Sequence, residues 1–394
     1  IEGRRSVTHF AIVQTDVSEG TLAGQSLGAQ IRDNLSTPPD VVMVFASPRS
    51  DYAELLQALK ETCQARLLLG CSSAGEFTSN IRGEGKSCAI ALQADDMQFT
   101  LAVGRGLQSE PDRAAQQVVS SFQGLADTPY PYRTALVFID ALHGCVDTFV
   151  ERLTRLTSGT YQFYGGGAGD NGQFLYTPVF ADTEVLSDAA VVLEILSHKP
   201  IGIGAGHSWK VSSDAMRVTG SKGLRLVSLD HRPAVEAFQL YAARTLQELD
   251  LNNPLPFFLL NIVGIEVSTG YHLLRVPLAI EADGSVLCAA EVPLHSRIRF
   301  MHTTSQIVAE APTEAVNLAE RRLYACEPAF ALFVDCVATR LRLGEDFGFE
   351  LDAVQSALGP VPYVGFNTHG QVLRVEGQYS GFLNCTAVAC IFPR

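Results

Sequence analysis

Nowhere does the chain approach the roughly 18 uninterrupted apolar residues that a membrane-spanning helix requires. The nearest candidate, residues 254–263, contains Asn261 and is far shorter. No signal peptide or anchor is expected, and a membrane is not among the expected partners. Cations are scarce as well: 29 Lys and Arg stand against 42 Asp and Glu, for a net charge of -13, and they are scattered. Neutralising phosphates takes clustered cations, which removes nucleic acid from the expected partners.

The nine cysteines contain no C-x-x-C pair, and Cys288, Cys336 and Cys390 sit inside apolar runs. Reduced, buried thiols and a cytoplasmic location follow as expectations. The isolated pairs Cys145 with His143, and Cys385 with Cys390, fall short of the four ligands of a structural zinc site. The glycine-rich turns lack the Lys-Ser/Thr of a phosphate-binding loop, and no G-x-S-x-G elbow occurs. An enzyme is therefore not the expected class.

What the sequence does hold is a repeat. Its 394 residues, 47% hydrophobic, suffice for two or three domains. Ile1-Glu-Gly-Arg4 reads as an engineered protease-recognition scar and is set aside. One stretch then runs from a helical segment at 22–35 through an apolar run at 41–45 and a helix at 52–63. It continues into Leu69-Gly-Cys-Ser-Ser-Ala-Gly75 and a closing strand at 88–92. A second runs through 113–122, 135–140 and 146–156 to Gly165-Gly-Gly-Ala-Gly169 and a strand at 189–193. A third runs through 307–324, 330–335 and 349–358 to Gly365-Phe-Asn-Thr-His-Gly370 and a strand at 386–392.

Continuous apolar runs joined by helices predict an α/β fold. Its repeated strand-helix-strand units form mixed, mainly parallel sheets covered by helices. A degenerate fourth unit is expected from the helix at 234–246 and the strand at 257–263. The expected division is 5–232 and 233–394, the second part holding one clear and one degenerate unit.

In parallel sheets ligands gather beyond the carboxyl ends of the strands. Cys71, Ser72, Ser73, Asp170, Asn171, Asn367, Thr368 and His369 would line such a mouth. The alternative is that the glycines serve tight turns and close packing alone. Arg275, on an alternating strand with Tyr271 and Leu273, could hold a carboxylate bidentately or stand as an edge residue. Asp140 and Asp335, ending what read as corresponding strands, suit carboxylates that satisfy loop amides.

Leu69-Gly-Cys-Ser-Ser-Ala-Gly-Glu76, Gly165-Gly-Gly-Ala-Gly-Asp170 and Leu229-Asp-His-Arg-Pro-Ala-Val-Glu236 together resemble the N-terminal FIST domain. Ala282-Asp-Gly-Ser285 and Gly365-Phe-Asn-Thr-His-Gly-Gln371, with Asn384 and Thr386, resemble the C-terminal FIST domain. That resemblance implies a bacterial sensory protein that binds a small ligand and regulates a histidine kinase or cyclic-di-GMP enzyme, with a homodimer allowed. The free-standing pair of FIST halves is also similar to the NosP subgroup, haem proteins that sense nitric oxide in two-component signalling. This narrower likeness implies haem held by His207, His369 or His143. NosP-like sequences place Tyr-Gly-Glu where this chain has His369-Gly370-Gln371, and a histidine where it has Phe382. Amino acids or other small polar metabolites, read by Arg275, Asp170 and Asn367, are the competing ligands. Turnover through Asp140 or His207 would make the pocket an enzyme's.

Overall fold

The structure, a computed structural model, describes residues 8–142, 144–268, 270–304, 309–375 and 380–394. The first unit comprises β1 (Thr8–Thr15), α1 (Gly20–Asn34), β2 (Val41–Ala46), α2 (Tyr52–Cys63) and β3 (Leu67–Ser72). A small hairpin, β4 (Glu76–Thr78) and β5 (Arg82–Gly83), precedes its closing strand β6 (Ser87–Ala94). The second unit repeats the plan with β7 (Met97–Arg105), α3 (Pro111–Ser120), β8 (Tyr132–Ile139), α4 (Val146–Leu156) and β9 (Gln162–Gly167). Its hairpin is β10 (Val179–Ala181) and β11 (Glu184–Leu186), and β12 (Ala189–Ser197) closes it.

The third unit opens with β13 (Gly202–Gly206) and is then interrupted. The inserted module holds β14 (Lys210–Val211), β15 (Met216–Lys222), β16 (Arg225–Leu229), β17 (Arg232–Pro233), α5 (Ala234–Thr245) and α6 (Leu255–Phe258). It continues with β18 (Asn261–Ser268), β19 (Tyr271–Arg275), β20 (Pro277–Ile280), β21 (Val286–Cys288) and β22 (Arg297–His302). The unit resumes with α7 (Glu310–Arg321), β23 (Pro328–Cys336), α8 (Val337–Leu343), α9 (Phe347–Leu358) and β24 (Tyr363–Thr368). Its hairpin is β25 (Gln371–Arg374) and β26 (Ser380–Leu383), and β27 (Ala387–Pro393) ends the chain.

The three units share one strand order: β1-β6-β2-β3, β7-β12-β8-β9 and β13-β27-β23-β24. Each hairpin leaves its own unit. The β10–β11 hairpin of the second extends the first sheet beside β3, β25–β26 of the third extends the second beside β9, and β4–β5 of the first extends the third beside β24. The exchange is cyclic and locks the three units together.

Burial follows the two-residue period of a strand. Val41, Met43 and Phe45 face a common core, while Val42, Val44 and Ala46 face α1 and α2. Leu136 and Phe138 likewise face the common core and Ala135, Val137 and Ile139 the helices; Leu332 and Val334 oppose Ala331 and Phe333 in the same way. The inner faces of all three sheets therefore meet. Phe45 stacks on Phe366 with centroids 4.1 Å apart, and Phe138 lies 5.5 Å and 5.8 Å from them. Helices cover the outside. Those of the first unit begin where side chains cap them: Glu19 accepts from Leu22 N at 2.6 Å, and Asp51 from Glu54 N at 3.1 Å.

Three expectations change. Each repeat sheet has a single parallel pair, β2–β3, β8–β9 or β23–β24, and the strands around it run antiparallel. Continuous apolar runs report burial on both faces, not strand direction. The fourth unit does not form, because Asn261–Ser268 belongs to the nine-stranded antiparallel sheet of the inserted module, beside β19 and β22. Finally, the third sheet draws β13 from before residue 232, so the repeat crosses the expected boundary.

Candidate functional site

The three glycine turns do converge. Gly169 N donates to Ser72 O at 2.9 Å, Ala74 N to Asn367 O at 2.9 Å, His369 N to Gly167 O at 3.1 Å, and Gly167 N to Gly370 O at 2.8 Å. Their side chains are partly engaged by neighbouring groups, while Ser72 Oγ, Asn171 Oδ1, Asn367 Nδ2 and His369 Nδ1 are buried with no hydrogen-bond partner among the described residues. Ser73 Oγ donates to Glu76, which also accepts from Lys86 N at 3.1 Å. Asp170 accepts from the amides of Phe174, Leu175 and Tyr176 at 2.9, 2.6 and 3.0 Å. Thr368 Oγ1 donates to Asp335 O at 3.2 Å, and Asn367 Oδ1 accepts from Arg340 at 3.2 Å. Arg340 lies so close over Gly75 that an added Cβ there would sit 1.5 Å from its Nη1. Cys71 is packed in the common core, Ser72 is buried, and Asn171 turns the chain at a φ of 58°. The convergence is a packed hub.

His369 is wedged in that hub, stacked on Phe174 at 4.3 Å with its Nε2 accepting from Asp170 N at 3.5 Å. Burial holds its pKa down to about 4 despite neighbouring Asp170 and Asp140. His207 follows β13; its Nδ1 accepts from Trp209 N at 3.2 Å, and burial followed by nearby His272 lowers its pKa to about 4. Both imidazoles are neutral at physiological pH. His143 lies outside the described residues.

Haem needs a nitrogen presented to a wide slot. Among the described residues, hollows of about 360, 810 and 430 Å³ lie beside the ends of α1 and α2, between α5 and β14–β15, and between the α2 start and Asp170. Neither His207 nor His369 borders any of them, so these hollows offer haem no cradle with a histidine ligand.

Arg275 is 1% exposed and fully engaged. It donates to Glu291 O at 2.8 Å, Leu274 O at 3.1 Å and Phe382 O at 2.7 Å, and pairs with Asp147 at 2.8 Å. These bonds fasten β19 of the inserted module to α4 and β26. The structure gives this arginine an anchoring position.

A second group of residues is also left incomplete. Asp335, near the end of β23, and Glu350, on α9, are 1% and 2% exposed and hydrogen-bond each other. Asp335 Oδ2, Glu350 Oε1 and Arg342 Nε have no hydrogen-bond partner among the described residues. Arg342, from α8, lies over the Trp209 ring at 5.9 Å. Ser208, Trp209, Thr339 and Cys385 complete a cleft of about 10 Å³, room for roughly one water. Buried polar atoms are ordinarily paired, so the unpartnered atoms around this cleft make it a candidate site.

The sequence hid this site. Register shows why: Gly165 and Gly365 occupy the same place opposite Val137 and Phe333, so Asp335 corresponds to Ile139 rather than to Asp140. Asp140 is satisfied by Thr177 Oγ1 at 2.6 Å and Asp188 N at 2.8 Å. An acid where the sister strand carries isoleucine was the available signal. Glu350 and Arg342 carried none, lying in helical patterns.

Burial raises Asp335 to about 6 and Glu350 well above the ordinary carboxyl value. Between the unfolded carboxyl pKa near 4 and the folded values, the folded chain retains protons that the unfolded chain loses. The pair therefore makes stability fall as pH rises from about 4 through 6. Urea midpoints across this window should fall less steeply for Glu350→Gln than for the parent.

The fold is three interlocked α/β repeat units carrying an inserted antiparallel module. The chain belongs to the FIST family: residues 40–232 match the FIST N domain and residues 237–374 the FIST C domain. FIST domains serve small-ligand sensing in signalling. No curated protein matches the chain. Among solved structures, PurL of Thermotoga maritima bound to ADP is 10% identical, with 98% of this chain and 71% of that one covered and a TM-score of 0.23. PurLQS of the same organism gives 10%, 98%, 72% and 0.23. These values carry no functional argument. Among the described residues no helix is long and apolar enough to cross a membrane.

Proposed function

We propose that this FIST protein senses a small amine-bearing metabolite of the amino-acid class, held at Asp335, Glu350 and Arg342 without being turned over. The observation that carries the reading is the buried Asp335–Glu350 carboxyl pair, whose shared proton an ammonium group could replace, beside an Arg342 Nε with no hydrogen-bond partner among the described residues. Trp209 supplies an apolar wall. The cleft is too small for such a ligand as it stands, so binding must part α8 from Trp209. A ligand with higher affinity for the parted state shifts the chain toward it. Since α8 also carries Arg340 into the hub of turns, the movement reaches the other units and can be read by a partner such as a histidine kinase or a cyclic-di-GMP enzyme.

A thermal-shift screen of amino acids and small amines tests this, because a ligand specific to the folded state raises apparent stability. A hit is expected, and Glu350→Gln should abolish its shift while keeping the folded circular dichroism spectrum. A hit whose shift survives both Glu350→Gln and Asp335→Asn would place the ligand elsewhere. The haem and nitric oxide reading has its own test: a Soret band after haem reconstitution would restore it.

A further inference from the structure

We propose that Cys336 and Cys385 form an oxidant-modifiable thiol pair that closes to a disulfide when a peroxide reaches the cleft. The inference rests on the placement of the thiols and is independent of the ligand reading.

Register brings them together. In the antiparallel β23–β27 ladder Val334 faces Val388, so continuing along both strands sets Cys336 opposite Thr386, the neighbour of Cys385. Cys385 itself precedes β27, at a φ of 50°, on the turn that leads into the strand beside Cys336. The two side chains share one apolar cluster with Trp209, and their thiols hydrogen-bond each other. Cys71 and Cys88 show the contrast. Both are buried and pair with Phe45 from opposite sides, so a whole strand separates them, at roughly twice the 4.8 Å interstrand spacing and out of disulfide reach.

Chemistry favours this pair as well. The bond from Cys385 holds the Cys336 thiol below its ordinary pKa, whereas burial pushes the Cys385 thiol well up. Cys336 is thus the attacking sulfur and Cys385 the resolving one. Cys385 borders the cleft, whose resting volume of about 10 Å³ holds roughly one water, and Cys336 lies beside it in the same apolar cluster. The Cys336 thiolate attacks one peroxide oxygen, the O–O bond breaks, and the departing hydroxide takes a proton to become water, leaving a sulfenic acid. Cys385 then attacks that sulfur, expels hydroxide and gives up its own proton, forming the S–S bond and a second water. Two thiols lose two electrons and two protons; one peroxide gains them.

Hydrogen peroxide added to the folded, reduced protein, followed by alkylation under denaturing conditions and peptide mapping, tests the proposal. Two fewer free thiols than the nine present, and a peptide joining Cys336 to Cys385, are expected. The emission of Trp209, the only tryptophan, should shift in step. In Cys385→Ser the cross-link should vanish and Cys336 should instead label with a sulfenic-acid reagent. The wild-type map requires no variant to fold. If the partly exposed Cys145 and Cys326 oxidise while Cys336 and Cys385 both remain alkylatable, the proposal is overturned.

Discussion

Gly365→Ala should abolish folding. The glycine lies on β24 directly opposite Phe77, the residue that the exchanged hairpin of the first unit brings in. A methyl group there would stand 1.9 Å from Phe333 O on one side and 2.4 Å from the Phe77 ring on the other. Neither obstacle can withdraw: one is the backbone of the parallel neighbour and the other a fully packed aromatic. The loss should be on the order of 4 kcal/mol or more, at the far end of what point mutations do. It is read as the absence of a folded baseline in urea. Gly70→Ala and Gly165→Ala, whose added atoms would meet Val44 O at 1.8 Å and Val137 O at 2.0 Å, should behave alike. Gly348→Ala, in α9 with only Arg82 within 3.6 Å, is the control and should leave stability unchanged or raise it by a few tenths of a kcal/mol. If Gly365→Ala folds with a normal urea midpoint, the close approach of the strands is wrong.

The second large effect is at Arg275. Arg275→Met should lower the unfolding free energy by about 3 kcal/mol, because it strands the carbonyls of Leu274, Phe382 and Glu291 inside the protein along with the Asp147 carboxylate. Lysine should not rescue it, since a single ammonium cannot reach acceptors spread around a planar fork. Asp147→Asn should cost about 1 kcal/mol or less, because Asp147 is 31% exposed and water replaces part of the interaction. The asymmetry between the partners is the diagnostic result in urea titrations. It would identify Arg275 as the fastening of the inserted module, and a ligand that protected Arg275→Met specifically would contradict that.

Much of the architecture was legible before any coordinates. The apolar runs at 41–45, 135–140 and 330–335 are the strands β2, β8 and β23, and the helices predicted at 52–63, 146–156 and 349–358 fall within a residue or two of α2, α4 and α9. The convergence of the glycine turns was also legible, because three copies of a strand ending in glycine imply three similar loop positions. What those turns do was not. Polar residue types at Ser73, Asp170, Asn367 and Thr368 suit a ligand and suit the protein equally well, and only distances show that they bond to Glu76, to the amides of Phe174, Leu175 and Tyr176, to Arg340 and to Asp335 O. The site proposed instead joins residues from three helices and strands plus Ser208 and Trp209, far apart in sequence.

The sequence by itself determined the repeated unit and its two faces, because strand and helix periodicities are local and each run shows which side it buries. It also determined the family, through short motifs that need no knowledge of neighbours. Only the tertiary structure decided where each hairpin docks. The β4–β5, β10–β11 and β25–β26 hairpins are too short to bury a core of their own, so their partners are set by the free edges of β24, β3 and β9. The same long-range pairing decided that residues 257–263 join no fourth unit, that Arg275 is an anchor, and that Asp335 and Glu350 meet with oxygens left over. Hydrogen-bond satisfaction is a property of what comes together in space, and the order of residues along the chain does not record it.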